Sequence, residues 1–160
     1  MKHTKQVLLK NTRKGVYAPL FDCLSLDSTQ NAILDFSGLK ESIKCELEMI
    51  LNTRPVAKEW QTSNAVDDVA RHLPQYFGMR DFTLQQASTE LGRRVIVQEI
   101  IKAIQAYEPR LKNVHVKLSL SSVHHLSAIV DIAGDIWFGN VMERTTFPVH
   151  VKDLFHHPKR

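Results

Sequence analysis

Glu108-Pro109-Arg110-Leu111 sets a carboxylate and a guanidinium on either side of a ring-locked residue. Proline fixes its own φ and pushes the residue before it out of helical geometry, so a helix arriving from the N-terminal side must end near Tyr107. The two charges are then presented from a stiff corner. One chemistry open to that corner is acid catalysis by Glu108; the other is docking, in which the guanidinium fork of Arg110 locks a partner carboxylate or backbone carbonyls in one orientation. Glycoside hydrolysis needs a second carboxylate roughly 5 to 10 Å away across a sugar cleft. None is evident in the sequence, and Arg110 offers Glu108 a charge partner in place of the apolar surroundings a general acid needs. A plain local ion pair, worth under ~1 kcal/mol if exposed, is the remaining alternative.

A second polar cluster, Leu51-Asn52-Thr53-Arg54-Pro55, brings an amide, a hydroxyl and a guanidinium together before a proline stop. By itself it reads as a capped helix end, where asparagine tolerates a left-handed turn and arginine complements the negative end of the helix dipole. The eight histidines include the pairs His124-His125 and His156-His157. Adjacent residues of a strand point to opposite faces, and no cysteine or carboxylate supplies zinc-type spacing, so a turn and a tail explain the pairs and no metal or cofactor is expected. Trp60 and Trp137 are expected as core or interface anchors, because no basic run interleaves with aromatics as single-strand nucleic-acid binders require. Cys23 and Cys45 lie far apart and are read as reduced thiols.

Periodicity supplies the elements that position these clusters. Ser37 and Gly38 open a segment in which Leu39, Ile43, Leu47, Ile50 and Leu51 recur at helical spacing, ended by Pro55. A shorter helix is predicted from a cap at Thr62 or Ser63 through Val66, Val69, Ala70 and Leu73 to Pro74, followed by a turn around Gly78. After a cap at Ser88 or Thr89, a stripe of Leu91, Val95, Ile100, Ile101 and Ile104 predicts the strongest helix, broken at Glu108-Pro109. The period then changes to two. Val114, Val116, Leu118 and Leu120 alternate with polar residues, Ser121 to His125 turns the chain, and Leu126, Ala128, Val130 and Ile132 resume the alternation. Gly134 invites a bulge or bend, and Gly139-Asn140 a second turn. In the strand from Val141 to Val151, Thr145, Phe147, Val149 and Val151 share a face, and Pro148 argues for an edge position. Helices followed by a small antiparallel sheet of about three strands, with the helices on one face, give an α+β fold.

The totals set limits. At 160 residues, 43% apolar and 24% charged, the chain fits one globular domain with an adequate core. The expected layout is a basic tail over residues 1–18, a domain over 19–153 and a short tail over 154–160, with both ends fraying. No apolar run approaches the roughly 20 residues that span a bilayer, and the patch Val7-Leu8-Leu9 is too short for a signal-peptide core, so a cytoplasmic protein is expected. A net charge of +4 and a pI near 9.1 suit an acidic protein partner or nucleic acid, the latter a minor alternative.

Taken together, Leu20-Phe21-Asp22 with Leu24, the helix ending in Leu51-Asn52-Thr53-Arg54, the Gly78 to Asp81 turn, and Glu108-Pro109-Arg110-Leu111 before an antiparallel sheet resemble the TssE family. These are the small baseplate subunits of type VI secretion systems, related to phage tail-baseplate wedge proteins that have carried a lysozyme-like label. Departures are Cys23, where the family often has a basic residue, and Phe77 and Arg80, where tyrosine and proline are common. The resemblance implies a structural part of a contractile injection machine and no catalysis. It implies partners among the other wedge subunits (TssF, TssG, TssK) and the sheath subunits (TssB, TssC), no nucleic acid, no membrane insertion, and a baseplate docked at the bacterial inner-membrane complex. It implies partner contacts at Glu108, Pro109, Arg110 and Leu111 and, at the other family landmarks, at Leu20, Phe21, Asp22, Asn52 and Arg54. A strand-exchanging sheet edge is implied too, with Phe147 and Val149 setting its register. A phage-tail baseplate subunit is the alternative, and a lysozyme-like hydrolase the remote one.

Overall fold

Apolar residues three and four apart coil onto one stripe, and the chain from Phe36 to Asn52 forms helix α1 with Leu39, Ile43, Leu47, Ile50 and Leu51 all buried. The structure, a computed structural model, describes residues 15–19, 33–56, 73–79, 82, 89–120 and 128–152. The side chain of Asp35 accepts a hydrogen bond from the Gly38 N–H at 2.7 Å. That N-cap starts α1 ahead of the expected Ser37. Helix α2, Glu90–Tyr107, is capped by Thr89, whose hydroxyl accepts from the Gly92 N–H at 3.1 Å.

The buried face of α2 is Gly92, Ile96, Ile100, Ala103 and Ile104, which corrects the expected stripe. Leu91 is exposed, and Val95 and Ile101 are half-buried. At 3.6 residues per turn, Leu91 falls nearly opposite a face centred on Ile96 and Ile100, and Val95 and Ile101 fall on its flanks. As the proline requires, α2 ends at Tyr107 with Glu108 as its C-cap.

Two short strands, β1 (Val16–Tyr17) and β2 (Ile33–Leu34), pair antiparallel. They were not anticipated, and they correct the tail boundary: Val16 and Tyr17 belong to the folded body, beside a buried Ala18. The main sheet contains β3 (Leu111–Leu120), β4 (Ala128–Phe138) and β5 (Val141–Val151) in that order, all antiparallel. One face, carrying Ala128, Val130, Ile132 and Ile136 of β4 with Phe147, Val149 and Val151 of β5, is buried. It packs with α2 against β3 and α1 against β5 and α2, closing one core. The α+β architecture with helices on one face, and the edge position of β5, are as expected.

The bulge predicted at Gly134 lies in the neighbouring strand. Strand β4 runs through Gly134 in unbroken register with β5, whereas the register with β3 shifts between Lys112 and His115, and Asn113 there has φ 49°. Gly134 leaves the room that this shift needs, because a Cβ on it would stand 2.6 Å from Leu111 Cγ. Strand β3 therefore begins at Leu111, three residues earlier than the alternation alone suggests. The second helix expected over Val66, Val69 and Ala70, the turn at Ser121 to His125, Leu126, Trp60, Cys23, Arg80, Asp81 and the two end segments lie outside the described residues, save 15–18 of the first.

A single-turn 3-10 helix, Pro74–Tyr76, leads to Gly78. The Met79 N–H donates to the Thr53 carbonyl at 3.0 Å, and Gly78 holds φ +108° with its α-carbon against Thr53. A Cβ on Gly78 would lie 2.5 Å from that carbonyl oxygen. Left-handed strain and a backbone clash then act together, so Gly78→Ala is expected to lower unfolding free energy by at least about 2 kcal/mol, read from the urea midpoint. An unchanged midpoint would show that the turn does not dock on α1's end as described.

Candidate functional site

Termination of α2 leaves Glu108 at the junction of helix and strand, where its side chain is 1% exposed. A buried carboxylate needs an ionic partner and hydrogen bonds, and the chain supplies both two residues on. Glu108 Oε1 accepts from the Arg110 backbone N–H at 3.1 Å and from Arg110 Nε at 2.8 Å; Glu108 Oε2 accepts from Arg110 Nη2 at 2.5 Å. Arg110 Nη1 also donates to Ser42 Oγ at 3.0 Å, tying the corner to the middle of α1. The Leu111 N–H donates to the Glu108 carbonyl at 3.2 Å, closing a turn with Pro109 exposed at its tip. This is neither an exposed pair nor an available acid. Both oxygens of Glu108 are engaged by one guanidinium inside the fold.

The corner's four residues thus divide. Leu111 is 2% exposed and part of the core, so the expectation that it meets a partner is corrected. Glu108 acts by orienting Arg110. Only Pro109 and the accessible quarter of the Arg110 side chain, 26%, face outward.

At the other end of α1 the Asn-Thr-Arg cluster does more than cap. Asn52 Nδ2 donates to the Glu48 carbonyl of its own helix at 2.9 Å and to the His150 carbonyl of β5 at 3.0 Å, while its Oδ1 accepts from the Lys152 N–H at 2.9 Å. Two carbonyls on one side and an N–H on the other fix which amide atom is which. Arg54 Nη1 donates to the Leu51 carbonyl at 3.1 Å, and Nη2 reaches the Lys152 carbonyl at 3.5 Å. The cluster therefore fastens α1 to the edge strand. Sequence reasoning missed that link, because nothing local indicates that residue 52 lies beside residue 150.

In an antiparallel ladder each residue turns its N–H and C=O to the same side, and the side alternates along the strand. Since Asn52 holds the His150 carbonyl and Lys152 N–H, the even-numbered residues of β5 face away from β4. Pro148 is one of them, so its missing donor falls on the outer side where it costs no ladder bond. Phe147 (4% exposed) and Val149 (0%) point into the core instead. Their expected role in contacting a partner strand is corrected: in β5 those residues face the helices. Leu20, Phe21 and Asp22 lie outside the described residues.

The sheet's open face carries a paired carboxylate, Asp135, that the sequence reading did not single out. Asp135 of β4, 6% exposed, accepts from Asn113 Nδ2 of β3 at 2.7 Å and from Arg144 Nη1 of β5 at 3.3 Å, tying the bulge of β3 to β4 and β4 to β5. At the β4–β5 turn Trp137 pairs with Met142, and Trp137, Val141 and Met142 are 55%, 65% and 53% exposed. The register follows from a two-residue Gly139-Asn140 loop, so this pairing was available as a signal. Trp137 is accordingly not core. Among the described residues no group of three or more His, Cys, Asp and Glu is placed to hold a metal, and no helix is long and apolar enough to cross a membrane.

Residues 37–141 match the family model described as Baseplate wedge protein gp25. No curated protein matches the chain. Among solved structures it is similar to a candidate tail lysozyme from Geobacter sulfurreducens, at 20% identity over 74% of this chain and 96% of that one, with a TM-score of 0.46. It is also similar to a chain of the baseplate complex from the type VI secretion system, at 16% identity over 72% and 96%, with a TM-score of 0.48.

Removing one member of a buried pair leaves an uncompensated charge, so Arg110→Ala is expected to destabilise the fold by about 3 kcal/mol in denaturant unfolding. Adding Glu108→Gln to that variant should restore part of the loss. If the double variant is as unstable as the sum of the single ones, the pair does not act as a unit.

Proposed function

The chain belongs to the Baseplate wedge protein gp25 family, and from that membership we propose that it is a baseplate wedge subunit of a type VI secretion system, helping to assemble the wedge and anchoring the first sheath subunits. It acts there by binding, on the cytoplasmic side, with no turnover. The observation that carries this reading is the fastened but open edge of β5: an eleven-residue strand held in place by α1, with outward backbone groups that suit pairing with a partner strand. TssB or TssC is the proposed partner at that edge.

The corner at Glu108-Pro109-Arg110 is the proposed contact for the other wedge subunits, TssF, TssG or TssK. Its docking surface is Pro109 and the outer side of Arg110, kept in one orientation by the buried carboxylate. Leu20, Phe21 and Asp22 are proposed to extend this contact. The family description names no secretion system, so a wedge subunit of a phage tail is the second reading. A hydrolase is not supported, because Glu108 is buried and paired.

Because Pro109 is exposed and outside the pair, Pro109→Glu tests the corner without opening the fold. It is expected to reduce copurification of the wedge partners at least tenfold while circular dichroism and capture of sheath subunits stay unchanged. Undiminished wedge assembly would remove the corner from this role. Cells of the chain's own system that lack it should form no extended sheaths, and sheaths forming normally there would contradict the reading as a whole.

A further inference from the structure

Strand β5 offers its outer side unevenly. Toward the C-terminal end Asn52 already occupies the His150 carbonyl and the Lys152 N–H, in the pattern an adjoining strand would use, and Arg54 adds a bond to the Lys152 carbonyl. Pro148 has no donor. Toward the turn, the outward groups of Met142, Arg144 and Thr146 have no bonding partner among the described residues, and all three residues are exposed. The opposite edge differs. Strand β3 carries the bulge at Lys112 to His115 and the lysines Lys112 and Lys117, features that discourage pairing.

We propose that the Asn52 side chain acts as a surrogate strand end, which confines an incoming strand to Met142–Pro148 and fixes where it stops. This rests on the reading of β5 as the sheath-binding edge and adds its register and the chemistry of its partner. On the open face, cross-strand neighbours of the incoming segment are Met142, Arg144 and Thr146, with Trp137 behind Met142. Matching that row calls for an extended segment with an apolar residue beside Met142, an acidic one beside Arg144 and a β-branched or hydroxyl residue beside Thr146. The apolar position completes a surface that Trp137 and Met142 leave exposed. Arg144 retains Asp135 as its own partner, and about half of its side chain, 53%, faces solvent where an acid can join it.

Hydrogen–deuterium exchange of the full chain, alone and with the purified sheath subunits of its own system, reads the register directly. Exchange at Arg144 and Thr146 is expected to slow at least tenfold on binding, with Lys152 unchanged because Asn52 already protects it. In Asn52→Ala, whose fold is checked by circular dichroism, the stop is gone and protection should extend to Lys152. Sheath subunits that bind without slowing Arg144 and Thr146, or an Asn52→Ala variant with unaltered protection, would overturn the register and the surrogate end while leaving the sheath-anchoring role standing. Absence of any binding would overturn that role and this inference together.

Discussion

A carboxylate that is 1% exposed cannot stand alone, and the compensation of Glu108 organises much of this fold. Its bidentate bond to Arg110 holds the turn from α2 into β3, and the same guanidinium reaches Ser42 on α1. Helix α1 is held at two further points. Lys40, lying over the Phe36 ring, bonds Glu143 at 2.9 Å near the turn of β4 and β5, and Asn52 bonds the far end of β5. Exposed pairs such as Lys40–Glu143 contribute little to stability, so the buried corner and the Asn52 amide set the alignment. One helix thus ties the far end of the edge strand and the corner together.

On the proposed reading, that arrangement serves assembly. Two surfaces that must meet different neighbours in register are better placed on one rigid body than on loops, because each association then loses less conformational freedom. Helix α1 carries bonds to both the corner and the edge strand. The roles differ in kind: Arg110 offers directed polar contact, whereas β5 offers main-chain pairing whose specificity comes from side chains at alternate positions.

Much of this was legible in the residues. The period-two alternation placed Ala128, Val130 and Ile132 on the buried face, Pro148 marked an edge, and Pro109 ended α2 at Tyr107. What escaped was non-local. Asn52 looked like a helix cap because its cap-like bond, to Glu48, is local, while its bonds to β5 cross about a hundred residues of sequence. Phe147 and Val149 were read as contact residues, yet the same alternation that made them strand residues put them in the core. Gly134 signalled a bulge correctly but not its strand, since a glycine can relieve crowding from a neighbour as well as bend its own chain. Leu91 was counted by its type, and helical geometry turned it to solvent.

Strand β5 is proposed to be a fastened template whose outer side receives a strand from the sheath. A density map of the assembled baseplate with its first sheath ring tests this most directly. A further strand is expected alongside β5, hydrogen-bonded between Met142 and Pro148 and ending before the Asn52 amide. A map in which that side of β5 faces solvent, or is covered by side chains with no main-chain pairing, would contradict it.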